Sequence, residues 1–279
     1  MTLLLEDPAR AAYDSLAPFY DRYTHDYDYD RWLTAIESVL LSHGFIGRCL
    51  LDVGCGTGKS FMPMLERGYE VTACDISPAM VEEARELAAG TDAEILVADM
   101  RELPVLGRFD LVTSIDDALN YLLSEEELRM AFAGVARNLL PDGLFVFDLN
   151  TLRCYRQHFV RDTAVEVAGA FFCFRGEGDA TCIEPGAVVS SSIEVFTTDD
   201  GDCWRRSSSR HVQRHHPPEL VERLLRETGF ELVDRRGQMT GAHLVPVGDE
   251  DAHMKLDYFA RRLPAAPPEA APEKEVTRT

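Results

Sequence analysis

The residues best suited to bind a charged or polar ligand stand together in LDVGCGTGKS, positions 51–60. Glycine, lysine and serine at 58–60 are how a phosphate-cradling P-loop closes, its backbone wrapping the phosphates while the lysine neutralises them. That loop requires its first glycine at position 53, and Val53 stands there. A dinucleotide G-x-G-x-x-G fails too, because Lys59 occupies the place of its last glycine. A nucleotide switch is thereby disfavoured. What remains is an acidic residue, Asp52, followed by Gly54, Gly56 and Gly58, and then Asp75 seventeen residues beyond Gly58.

A second concentration is RHVQRHH, with His211, His215 and His216. Together with Cys203 they invite a zinc assignment, but the spacing matches no common site and adjacent strand residues face opposite ways. No metal is expected. One of the three can face a pocket as a general base, with His158 and His25 weaker candidates. Cys55, between two of the glycines, reads as a packing residue rather than a nucleophile, since no histidine is near it in sequence. Lys59 reads as a solvated first-turn residue, and the acidic run Asp21, Asp26, Asp28 and Asp30 as a solvated face that would attract a cationic amine.

These residues need a frame. From 49 to 154 the chain alternates: CLLDV, YEVTACDI, AEILVADM, FDLVTSID and GLFVFDLN have strand character, and FMPMLERG, SPAMVEEARELAAG and SEEELRMAFAGVARNLL have helical spacing. Such alternation predicts a parallel sheet covered on both faces. Ser77 before Pro78 is a helix start, and Ser124 with Glu127 is a capping box. Residues 1–48 form a helical lid, with TAIESVLLSHGF as an amphipathic helix ended by Gly44. Residues 155–216 are β-rich and read as an antiparallel insertion over the sheet, and 217–262 return to the core with a helix and the strands FELVDRRG and HMKLDYFARR. The Pro, Ala and Glu-rich end, 263–279, is expected to be disordered.

The chain has 279 residues, 46% hydrophobic and 27% charged, within the globular range. A formal charge of -20 argues against a nucleic-acid partner. No apolar run reaches the roughly 20 residues that cross a bilayer, and no secretory leader is recognisable, so a cytoplasmic, membrane-free protein is expected. Seven scattered cysteines without a C-x-x-C pair fit reduced thiols. The oligomeric state is open, with a homodimer among the options.

The loop with Asp52, Gly54, Gly56, Gly58 and Asp75 resembles motif I of class I S-adenosylmethionine-dependent methyltransferases, a Rossmann-like α/β fold. The likeness extends over about residues 10–262. ADM at 98–100, SIDDALNYL at 114–122 and LLPDGLFVFD at 139–148 resemble the family's segments at strands three, four and five. Asp142 replaces a glycine in the last of these, tolerably, because aspartate accepts left-handed turns. Closer still is a small-molecule subgroup that includes glycine, amino-sugar and antibiotic N-methyltransferases. Tyr13, Ala17, Tyr20 and Asp21 match its N-terminal element, Asp116, Asp117, Asn120, Tyr121 and Leu122 its central segment, and residues 147–151 its strand-five end.

The resemblance implies S-adenosyl-L-methionine as cofactor. Gly54, Cys55 and Gly56 would bring backbone to it, Asp75 would receive the ribose diol with Ile76 and Met80 nearby, and Asp99 and Met100 would meet the adenine edge. Asp116 and the lid residues Tyr13, Tyr20 and Trp32 complete the expected cofactor set. Tyr20, Asp117, Asn120, Tyr121 and His211 are candidates for a small-molecule substrate, with His211 and Tyr121 as the catalytic groups. An amine acceptor is favoured. O- or C-methylation is the alternative, and a cofactor-binding protein without turnover is the reading from another class.

Overall fold

The computed structural model describes residues 7–167, 169–198 and 202–264, so most of the expected tail, 265–279, lies outside the described residues. Two helices lead, α1 (Pro8–Tyr23) and α2 (Tyr29–Ser42). Each begins on an aspartate: Asp7 accepts from the amides of Ala9 and Arg10, and Asp28 from that of Arg31, meeting donors that a helix start leaves open. The alternating part follows as β1 (Cys49–Val53), α3 (Met62–Glu66), β2 (Glu70–Asp75), α4 (Pro78–Leu87), β3 (Glu94–Val97), β4 (Phe109–Ser114), α5 (Glu125–Asn138) and β5 (Leu139–Asn150). Ser77 caps α4, and Ser124 and Glu127 form the reciprocal capping box of α5. Helix α5 stops short of its apolar run, because Leu139 already pairs with Phe109 as the start of β5. Asp142 turns at φ 65°, the left-handed geometry anticipated for it.

The short helix α6 (Leu152–Gln157) leads to β6 (Asp162–Val167), β7 (Ala170–Gly176), β8 (Val188–Thr198) and β9 (Trp204–Arg214), a separate antiparallel sheet in that order. The stretch VEVAGAFFCF, which reads as one run, is two strands; Gly169, at φ 76°, permits the reversal between them. Helix α7 (Pro218–Glu227) and the strands β10 (Phe230–Met239), β11 (His243–Pro246) and β12 (Lys255–Arg262) finish the chain. β11, four residues of mixed polarity, has no sequence signal and forms because it pairs with the end of β10.

The main sheet runs β11-β10-β12-β5-β4-β1-β2-β3. Strands β1 to β5 are parallel, and β12 and β10 are antiparallel to their neighbours. Alternate residues of β5 enter different cores: Phe145 and Phe147 pack with Phe132 and Leu224, whereas Leu144 and Val146 pack with Ile36 and Phe61. Both faces are thus covered, as near-continuous apolar strands require. β2 and β3 lie on one side of β1, and the chain then crosses back from β3 to β4 on its other side, a reversal that opens a crevice at the carboxyl ends of the strands. Helix α1 packs against α4 and β9, with Leu16 against Phe172, Ile193 and Val195 of the small sheet.

Candidate active site

The crevice is built by the turn after β1. Gly54, Gly56 and Gly58 all have positive φ, 77°, 53° and 96°, which L side chains rarely adopt. A Cβ on Gly54 would lie 2.9 Å from that of Ala118, whereas one on Gly56 would point into open space with only Tyr20 within 4 Å, at 3.9 Å. The turn is pinned from below. Asp52, fully buried, accepts from Ser60 and, at 2.7 Å, from Thr113; burial raises its pKa to about 6 against those bonds. Asp75 accepts from the amides of Gly56 and Ser77, both at 2.9 Å, and burial raises its pKa. Its two oxygens keep acceptor capacity for a diol. Ile76, Ala98, Asp99 and Met100 continue the wall.

Helix α1 closes the crevice with acids spaced seven residues apart, hence on one face. Asp7 binds Arg101 at 2.6 Å, Asp14 accepts from the Ser77 hydroxyl at 2.6 Å, and Asp21 accepts from the Thr57 hydroxyl at 2.6 Å. They reach the loops after β3, β2 and β1 in turn. Burial alone would raise the Asp7 carboxyl, yet Arg101 holds it below the usual carboxylate range. Arg101 also pairs with Asp99. Lys59, read as solvated, instead donates to the carbonyl of Thr24 at 2.7 Å and to its hydroxyl at 3.0 Å, fastening the end of α1. The acidic run divides likewise: Asp21 is a clasp, Asp30 pairs with Arg67, and Asp26 and Asp28 remain at the rim of a second cavity.

That second cavity, about 570 Å³, shares Tyr13, Tyr20, Tyr29, Asp116 and Tyr121 with the crevice. Its floor is a strained pair, Asp116 at φ 66° and Asp117 at φ 56°, a backbone state that persists only when its surroundings impose it. The Asp148 carboxylate imposes it by accepting both their amides. Lys255 joins all three acids, at 2.8 Å to Asp116, 2.7 Å to Asp117 and 3.0 Å to Asp148. Burial works against its charge, but the three aspartates hold its pKa well above the usual lysine value. Asp257, two residues further along β12, accepts from the Trp32 indole at 2.8 Å, and burial pushes its carboxyl far up.

A phenol-imidazole chain crosses the cavity. Tyr13 donates to Tyr121 at 3.0 Å, Tyr121 meets Nδ1 of His211 at 2.9 Å, and Nε2 of His211 meets Ser209 at 2.9 Å. Burial lowers the His211 pKa to about 4, so the ring is neutral near pH 7. His215 and His216 lie apart from either cavity, buried against Glu250 and the carbonyl of Leu122.

Of the residues read from sequence, Tyr13, Tyr20, Gly54, Cys55, Gly56, Asp75, Ile76, Asp99, Met100 and Asp116 line the crevice, and Tyr20, Asp117, Tyr121 and His211 line the second cavity. Three fall elsewhere. Trp32 is in the wall of the second cavity, turned there by its bond to Asp257. Met80 is fully buried on α4 and lines neither cavity. Asn120 is fully buried, linking the carbonyl of Arg214 to the amide of Asn150. Sequence reasoning missed Lys255, Asp148, Gln213 and Arg101. Lys255 carries one signal: it is one of three lysines in an otherwise arginine-using chain.

A family model described as a methyltransferase domain matches residues 50–143. YqeM of Bacillus subtilis (strain 168), named as a methyltransferase, is 30% identical over 226 residues, which cover 79% of this chain and 87% of that protein. A glycine/sarcosine N-methyltransferase of Parasynechococcus marenigrum (strain WH8102) is 30% identical over 207 residues, 71% of this chain and 68% of its own length. A solved S-adenosylmethionine-dependent methyltransferase from Clostridium acetobutylicum ATCC 824 has the same fold, with a TM-score of 0.75 at 23% identity, covering 90% of this chain and 99% of that one.

Proposed function

The chain belongs to the S-adenosylmethionine-dependent methyltransferases, and we propose that it transfers the methyl group in line to the nitrogen of a small-molecule amine. The cofactor supplies a carbon already activated by its sulfonium, so the chain's own work is alignment and exclusion of water. In this reading Gly54 and Gly56 give backbone to the cofactor, Asp75 receives the ribose hydroxyls, and Asp99 and Met100 face the adenine edge. Tyr13, Tyr20 and Tyr121, common to both cavities, flank the place where donor and acceptor meet. Asp75→Ala is expected to weaken binding of S-adenosylhomocysteine by roughly 1.5–3 kcal/mol, the usual scale for a hydrogen bond to a charged group. Calorimetric titration giving an unchanged affinity would show that another acid holds the ribose.

The choice of nitrogen rests on the state of His211. An alcohol needs a base whose pKa lies near the working pH, and His211, lowered to about 4 with both ring nitrogens engaged, is a poor one. A neutral amine brings its own lone pair. The N-methyltransferase relative supports the same reading. His211→Gln is accordingly expected to lower kcat less than tenfold, well under the roughly 10²–10⁴ of a lost general base. Turnover should rise with pH as the amine deprotonates, in variant and parent alike. A loss of three decades with both ligands still bound would turn the assignment to oxygen.

A further inference from the structure

The second cavity is unevenly charged. Asp26, Asp28, Asp116 and Asp117 line it, and Lys255 is its one lysine or arginine among the described residues. An ammonium has three N–H donors and no more. Lys255 directs them at Asp116, Asp117 and Asp148, which leaves none for a ligand's phosphate or carboxylate. His211 is neutral with both nitrogens engaged, and His158 is exposed, its ring beside Phe174. An anionic group entering here would meet carboxylates and no free cation.

We propose that this cavity selects acceptors that carry an ammonium and no phosphate or carboxylate, and that Asp117 is the group that receives the ammonium. The count of bonds singles out Asp117. Asp148 accepts two amides and Lys255 and has no exposed side-chain surface. Asp116 is engaged by Lys255, Tyr29 and Tyr20. Asp117 holds one donor on each oxygen, Lys255 at 2.7 Å and Gln213 at 2.6 Å, and its side chain is 20% exposed, the most of the three. It lines the cavity together with Tyr13, Tyr23 and Tyr121, aromatic residues of the kind that attract a cation. The ammonium docks there, and the nitrogen attacks only from the fraction of acceptor that has released its proton to solvent.

The proposal rests on the amine reading, and a binding measurement without methyl transfer keeps the two separable. Protein loaded with S-adenosylhomocysteine is titrated with cyclohexylammonium, cyclohexanecarboxylate and cyclohexyl phosphate, which share one ring and differ in charge, following side-chain resonances. Saturable binding of the ammonium alone is expected, weakened at least tenfold in Asp117→Asn at unchanged affinity for S-adenosylhomocysteine. If that variant does not fold, Asp26→Asn at the rim carries the test, with a two- to threefold weakening at low salt that vanishes at high salt. No saturable binding of the ammonium, equal binding in the variant used, or tighter binding of either anion overturns the proposal. The methylated atom of a product, fixed separately, decides the amine reading whichever way these titrations fall.

Discussion

Lys255→Met is expected to cost about 3–5 kcal/mol of folding stability at neutral pH, the scale for removing one partner from a buried ion pair. The ammonium is shared by Asp116, Asp117 and Asp148, and without it three carboxylates would face one another in a poorly hydrated site. The pH dependence gives a signature. Burial already raises Asp148 to about 6 with the lysine present, and its loss pushes the group higher. A carboxyl whose folded pKa exceeds its unfolded value binds protons preferentially in the folded state, so the variant's deficit is full above its own raised Asp148 pKa, which lies above 6, and shrinks as pH falls through that value. Urea melts at pH 7.5 and pH 5 check this; a deficit that is small, or that grows in acid, would refute the account of the cluster.

Gly56→Val is expected to remove cofactor binding, with affinity for S-adenosylhomocysteine reduced on the order of a hundredfold, since about 3 kcal/mol of overpacking converts at 1.4 kcal/mol per decade. The added branches would occupy space that only Tyr20 approaches. They would also sit at φ 53°, so backbone strain must be separated from obstruction. Gly68 supplies the control, at φ 82° with nothing within 4 Å of an added Cβ. Gly68→Val should show a comparable loss in melting temperature with cofactor affinity retained. Retained affinity in Gly56→Val would displace the cofactor from this turn.

The crevice was legible in sequence because its residues are contiguous. The three glycines and Asp52 lie within one strand and turn, and Asp75 ends the next strand, so type and spacing alone define the crevice. The second cavity is assembled across long separations. Lys255 meets Asp116 over 139 residues and Trp32 meets Asp257 over 225, pairings that depend on β12 inserting beside β5. Asn120 looked like a polar group for substrate because its neighbours are; its side chain is instead spent on the backbone of β9 and β5. Lys59 misled for the same reason, its partner being the end of a helix that has no local tie to the turn.

The clasps of α1 have a thermodynamic consequence. Tyr13 and Tyr20, which partition the two cavities, ride on the helix whose Asp7, Asp14 and Asp21 grip the loops around the cofactor crevice. Whatever a ligand in the crevice contributes to seating that helix, it contributes also to completing the wall against which the acceptor rests. Two ligands that share this wall are linked through it, and linkage is mutual: an acceptor that helps to seat the partition tightens the hold on the cofactor by the same factor as the cofactor tightens the hold on the acceptor.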